Sequence, residues 1–394
     1  MNKKWLIGGL ICLIAIICVS FFAFNRQSSI STLSYKTLPP QLIETTKTIL
    51  YFSTTADQDM NRDGLSFAVF VDNKGDTDIY EMEGLELGTV LATNDAFFME
   101  DRSNVFLINS TGLKTFPMET EEHTGEVTGF QDGLFYSVNN SGFTQDGGYS
   151  SRVRFGDENG FDTMSIPYYL HMSGIADGEL LMVTDESEES EEISLQRMPL
   201  QRDIEIEKIV SLGPLGERLG LSPILKENSM YYMIMSDTEK LTSEIYAVNE
   251  QTKSVTTIPF FTFKDAEDYR LRIPFNLRNA SAIHNGILYY VDGIGEVHLY
   301  NTITNTVEPS FFIEGIDEAS PYMAEQTFFK DGNLYVFRYD ADAGDEKTRS
   351  HVIDTYDLSS QKRTNKLTIE DIDSMYTYAK QKGKQITSYD FFVR

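Results

Sequence analysis

The chain has 394 residues, enough for one large repeat domain or two to three ordinary ones. Its 41% apolar fraction excludes a disordered chain, and 21 Tyr and 26 Phe favour pleated, half-buried surfaces and therefore β structure. A formal charge of −27 repels nucleic acid, and the only cysteines, Cys12 and Cys18, leave no disulfide, thiolate metal site or cysteine nucleophile beyond residue 18.

Lys3 and Lys4 precede an uncharged run, Trp5–Phe24. As a helix at 1.5 Å per residue it spans about 30 Å, the thickness of the hydrocarbon core. The lysines predict a cytoplasmic tail at 1–4, a single-pass signal anchor at 5–24 held in the lipid bilayer, and the bulk of the chain outside. A cleaved signal peptide is the alternative. The run is longer than such an apolar core, and Phe21, Phe22 and Phe24 crowd Ala23, the best small residue for cleavage. Residues 25–47, Ser/Thr-rich and containing Pro39-Pro40, read as a tether.

From about Thr48 the pattern becomes short alternating strands separated by turn residues. One unit, a turn followed by aromatics, recurs at Asn94–Met99, Asp132–Val138, Asp177–Val183, Asn228–Ile234, Asn285–Val291 and Asp331–Phe337. Ile49–Ser53 has the strand without the turn. A second unit aligns Ile245–Val255 with Val297–Val307, and Val105–Gly112 and Ile353–Ser360 follow the same frame. In it Asn or Asp leaves a strand and caps the turn with its side chain, and Thr or Ser supports it. A period of roughly 45 residues with several strands per unit predicts propeller blades. The expected fold is all-β, a β-propeller over 48–394, with seven blades and with six or eight as alternatives. Ile386–Val393 reads as a strand that completes the blade begun at Ile49–Ser53, closing the ring between the two ends of the chain. A capping box at Thr368–Asp371 and a stop at Gly383 predict one short C-terminal helix, with Ile372, Met375, Tyr376 and Ala379 on its apolar face.

The D/N-G-x-L-Y-Y strand followed by I-Y-x-x-N-x-x-T-x-x-V resembles the repeats of bacterial extracytoplasmic β-propellers, over about Thr48 to Arg394. No WD dipeptide or kelch-type glycine pair accompanies it. The resemblance implies a ring with a central channel and a loop face used for binding. It implies no chemistry.

The sharpest local motif is Asp59-x-Asn61-x-Asp63-Gly64, alternate oxygen ligands and a glycine at the sharp turn, as in the first half of a calcium loop. It also resembles the calcium loops of integrin-type propeller repeats. Asp59, Asn61 and Asp63 are therefore the candidate metal ligands, with calcium as the cofactor they would take. Phe67 stands where that family closes the site with Asp, and Phe70 where an EF-hand has its bidentate Glu, so a hairpin turn is the competing reading. Asp340–Glu346 and Asp185–Glu192 read as solvated acidic loops. Tyr231-Tyr232 and Tyr289-Tyr290 could stack on sugars. Neighbouring strand residues point to opposite faces, however, so packing between blades is their first explanation. No nucleophile elbow, phosphate loop or zinc helix motif occurs in the sequence.

The expected function is binding or scaffolding at the cell surface, with a protein or glycan partner and no catalytic residues. The alternative is a hydrolase or lyase acting on cell-wall or surface polysaccharide, with its site in the central channel. An enzyme should gather His, Arg and acids in the funnel. A binding module should show an exposed aromatic or charged patch on one rim.

Overall fold

Alternating strands that are apolar on both faces must be covered on both faces, and the chain achieves this by standing its sheets side by side around an axis. The structure is a computed structural model that describes residues 30–32, 38–39, 41–144, 147–186, 190–201, 205–316, 325–340 and 350–394. Among these residues seven antiparallel sheets form seven blades, as the repeat count predicts. With strands a to d running from the axis outward, blade 2 is Val90–Ala92, Ala96–Glu100, Asn104–Asn109 and Gly112–Pro117. Blade 3 is Gly125–Gln131, Leu134–Phe143, Tyr149–Asp157 and Gly160–Ile166, and blade 4 is Met172–Ala176, Glu179–Asp185, Glu192–Pro199 and Glu207–Pro214. Blade 6 is Ser281–His284, Ile287–Val291, Glu296–Asn301 and Thr306–Phe312, and blade 7 is Gln326–Lys330, Asn333–Asp340, Ser350–Asp357 and Lys362–Ile369. In blade 5 strand a is split into Arg218–Gly220 and Leu225–Glu227, both paired to Met230–Asp237, with Thr242–Asn249 and Val255–Thr262 outside them.

Blade 1 joins the two ends of the chain. Its strands b, c and d are Thr48–Ser53, Leu65–Val71 and Thr77–Glu83, and its inner strand is the C-terminal Thr387–Val393. Thr48 pairs with Val393 and Ser53 with Thr387, so the expected closure is present. Ser31–Thr32 adds a short parallel strand outside Thr77–Glu83. The helix Leu42–Thr45 packs Leu42 beneath blades 1 and 2.

The apolar core is divided into seven clusters, one between each pair of neighbouring blades. Adjacent tyrosines serve different clusters: Tyr231 packs between blades 4 and 5 and Tyr232 between 5 and 6. Tyr290 likewise faces blade 5 and Tyr289 faces blade 7. These pairs are buried and are not sugar platforms. The turns follow from their residues. Asp132, Asp177, Asn285 and Asp331 take positive φ ahead of Gly133, Gly178, Gly286 and Gly332, the two left-handed positions of a tight hairpin between strands a and b. Between strands c and d, Asn249 and Asn301 each accept two backbone N–H groups on Oδ1, at 2.8–3.0 Å.

The helix Ile372–Gln381 lies between blades 7 and 1, with Ile372, Met375 and Ala379 buried and Gly383 ending it at positive φ. Its start departs from the expected capping box. Thr368 is spent in the ladder opposite Val352, and Asp371 caps without a side-chain bond. None of the described helices is long and apolar enough to cross a membrane. The expected anchor Trp5–Phe24 and the tail before it lie outside the described residues, as do 341–346 of one acidic loop and 187–189 of the other.

Candidate functional site

The connection between blades 5 and 6 does not stay at the rim. After the helix Ala266–Arg272, whose N-terminus Asp265 caps by accepting from Glu267 N and Asp268 N, residues 274–279 run to the axis of the ring. There Arg278 donates to the carbonyls of Leu87 (2.8 Å), Glu126 (3.2 Å) and Tyr389 (2.8 Å). Asn276 Nδ2 donates to Gln326 Oε1 (2.6 Å), and Asn279 Nδ2 to Asp390 Oδ1 (3.0 Å). These bonds reach the inner strands of blades 1, 3 and 7 and the link into blade 2. The segment therefore forms a polar hub, satisfied by backbone groups that a bare channel would leave to water.

Beside the hub a cavity of about 350 Å³ opens toward the face on which each inner strand begins. Its walls are the starts of strand a in blades 3, 4 and 5, with Phe275 and Arg278 from the hub. Gly125 and Gly220 let its walls pack closely, since a Cβ there would stand 2.3 Å from Leu87 O or Met172 Cγ. The carboxyl group of Glu126 accepts from Ser173 Oγ (2.8 Å) and Asn140 Nδ2 (3.2 Å). Burial pushes this carboxyl above the usual carboxylate range, with Ser173 and Arg278 acting in the opposite direction. Along blades 3 and 4 an edge-to-face series runs Phe143, Tyr149, Tyr169, His171, with centroids 5.0–5.2 Å apart. Phe143 is 83% exposed, and Tyr169, Leu219 and Phe275 are also exposed at the mouth. Burial raises both the Tyr149 and Tyr169 phenols, and His171 Nε2 lies 2.9 Å from Asp185 Oδ1.

The expected calcium ligands lie elsewhere on the same face and meet protein cations. Asp59 is buried, with its two oxygens 2.6 and 2.7 Å from Arg102 Nη1, and Oδ1 also accepts from Gly64 N. Asp63 is bound by Lys384 Nζ at 2.7 Å, which holds its carboxyl below the ordinary range, and Asn61 is exposed. Phe67 and Phe70, at the positions of the closing ligands, are buried in two inter-blade clusters. This donor set does not fit calcium, because its acids are already neutralised and its closing positions are core. A second cluster of ligand-type side chains is Asp292, Glu296 and His298, in which Arg272 donates to Asp292 at 2.6 Å and to Glu296 at 2.7 Å and His298 Nε2 lies 3.2 Å from Asp292. There too the cation is an arginine.

A family model for the β-propeller domain of YycP matches residues 41–394. The chain belongs to the YycP β-propeller family. Its relative in Bacillus subtilis (strain 168), the YycP protein, is 28% identical over 350 residues, covering 86% of this chain and 87% of that one. Among solved structures, Sqt1 of Saccharomyces cerevisiae is similar at 10% identity, covering 88% and 89% of the two chains with a TM-score of 0.49. Apo AztD of Citrobacter koseri is similar at 11% identity, covering 88% and 97%, with a TM-score of 0.46.

In this YycP-type propeller the sequence pattern points to blades and misses the cavity. Glu126, Tyr169 and Arg278 belong to no repeat unit, and the hub stretch Pro274–Asn279 reads as an ordinary link. One signal was available: Phe-Asn-Leu-Arg-Asn at 275–279 departs from the strand–turn alternation on both sides of it.

Proposed function

We propose that the chain is a membrane-held, extracytoplasmic binding module whose ligand enters the central cavity. The observation that carries this reading is an aromatic mouth, exposed to solvent, leading into a walled space with a few converging polar groups. Lys3, Lys4 and the apolar run Trp5–Phe24 support attachment through residues 5–24 to the bilayer, N-terminus inside. The ligand would then be a protein or glycan of the cell surface, or a small molecule met there. The acidic charge disfavours nucleic acid.

A hydrolase or lyase acting on polysaccharide has one observation in its favour. Glu126 is a carboxyl of raised pKa in a cavity, the state a general acid needs. It is, however, the one carboxylate among the described lining residues, whereas glycoside hydrolysis uses a pair. The tyrosines are shifted away from acting as bases.

The test is equilibrium titration of the full chain in detergent against wall glycan fragments, surface-protein fractions and small-metabolite pools. Saturable binding is expected, weakened at least about tenfold in Tyr149→Ala/Tyr169→Ala at unchanged melting temperature. Binding indifferent to that double variant, or turnover of a polysaccharide, overturns the reading. Protease added to intact cells should digest residues 48–394, and protection would contradict the orientation.

A further inference from the structure

Two charged side chains line the central cavity, and neither has an ion-pair partner among the described residues. Elsewhere on this face the charges are spent on one another: Arg272 on Asp268, Asp292 and Glu296, Arg102 on Asp59 and Glu83, Lys384 on Asp63. Glu126 is held instead by two neutral donors, Ser173 and Asn140. The direction of Asn140 is set from behind, since its Oδ1 accepts from Ser151 Oγ (3.0 Å) and Leu170 N (3.3 Å), leaving Nδ2 to face Glu126. Arg278 is held by three neutral carbonyls. Those bonds use three of the five N–H donors of a guanidinium, and two remain. The cavity thus presents one negative and one positive group, each oriented by neutral partners and not by the other.

We propose that the central cavity binds a small zwitterion, a free amino acid or a short peptide, whose ammonium group is received by Glu126 and whose carboxylate is received by Arg278. The proposal rests on the binding reading above and names the class of ligand. Each contact is a charge-assisted hydrogen bond, made on groups that are themselves partly buried, where such bonds are stronger than in bulk water. A ligand ammonium also offsets the cost of holding the desolvated Glu126 carboxyl ionised. Tyr149, Tyr169 and Phe275 supply aromatic faces for the apolar body of the ligand and a π-surface for its cation. The volume, about 350 Å³, lies at the small end of ligand sites. A neutral sugar ring fits this arrangement less well, because it brings no charge to either group. A simple amine serves only Glu126.

The test is calorimetric titration of the full chain in detergent with L-phenylalanine and two matched analogues, phenethylamine, which lacks the carboxylate, and 3-phenylpropionate, which lacks the ammonium. The other free amino acids and a set of dipeptides cover the choice of side chain, and N-acetylglucosamine serves as the neutral sugar. The expected result is that zwitterions bind and that removing either charge weakens binding at least about tenfold. Glu126→Gln should erase the preference for the amino acid over its deaminated analogue. The analogue series in the unmodified chain decides the matter even if that variant folds poorly. Equal binding of amino acid, amine and acid overturns the inference, as does absence of zwitterion binding across the panel. Sugar binding that Tyr149→Ala/Tyr169→Ala weakens would sink the zwitterion while leaving the cavity as the binding site. No binding by any class would sink both.

Discussion

Asp59 and His351 are both polar side chains turned inward, and the protein satisfies them in opposite ways. Asp59 is met by a partner, because Arg102 follows it into the interior and stands 2.6 Å from its carboxyl group. Removing one partner of such a pair strands the other, so Arg102→Ala should cost about 3–5 kcal/mol in denaturant unfolding. An added cation has to compete with that guanidinium, so millimolar calcium against chelator should leave the melting temperature unchanged. A rise would return the loop to the metal sites. His351 is kept neutral. It stacks on Phe337 (5.5 Å) and Tyr376 (5.7 Å) beneath the C-terminal helix, and burial lowers its pKa to about 4. The unfolded imidazole takes its proton near pH 6.5 and the folded one only near 4. Stability from this residue is therefore fully present above the unfolded value and is lost as pH falls between the two, on the order of 3 kcal/mol in all. Melting followed from pH 7 to pH 4 should show His351→Phe losing less stability than the natural chain. Parallel pH profiles would refute the assignment.

Among the blades, the contact between 2 and 3 is unlike the others. Its apolar cluster is the smallest of the seven, built on Phe98 and Phe135 stacked at 5.3 Å. Polar side chains fill the remainder. Arg154, wholly buried, pairs with Glu100 at 3.1 Å and donates to the carbonyls of Arg102 (3.0 Å) and Thr120 (2.7 Å), while Ser137 donates to Glu100. Burial raises the Glu100 carboxyl despite Arg154. Glu100→Ala alone should cost about 3–5 kcal/mol, whereas Glu100→Leu with Arg154→Met should recover most of that loss, which a double-mutant cycle in denaturant would read. This interface also shows why the chain is only partly legible in one dimension. Strands whose two faces both meet apolar neighbours, such as Tyr289–Tyr290, repeat visibly because every blade solves the same packing problem. The strand–turn grammar and the closure at Thr387–Val393 could be read for that reason. Arg154 and Arg278 take their partners from other blades or from backbone carbonyls, Glu126 takes one of its two from blade 4, and nothing near them in the chain announces it. Asp59 shows the same limit: its local spacing matches a calcium loop, and the cation beside it in the fold comes from a strand turn more than forty residues away.

For the whole molecule, the ordinary economy of a repeat array, in which each unit touches only its neighbours, does not hold. Arg278, from the link between blades 5 and 6, bonds to blades 1 and 3 and to the link into blade 2. Arg278→Met should therefore lower stability by at least about 2 kcal/mol, and hydrogen exchange should quicken in blades 1 and 3 together with blade 6. Exchange changes confined to blades 5 and 6 would show that the hub is not a shared support. Deleting Thr387–Arg394 removes the inner strand of blade 1 and exposes Ile49–Phe52, so the truncated chain should be insoluble or lack a cooperative melting transition.

The closure of blade 1 also has a meaning in time. Synthesis delivers Thr48–Ser53 early and its partner Thr387–Val393 last, an interval on the order of tens of seconds at ordinary elongation rates. Throughout it the most apolar strand at the start of the chain waits with one edge open, unable to finish its sheet with anything yet made. The completed protein and the growing one thus face different hazards: in the first Thr48–Ser53 is paired on both sides, and in the second one of its edges stays open for nearly the whole of synthesis. Whatever shields that edge, a chaperone or the nascent chain's own first blades, must let go only when the final residues emerge.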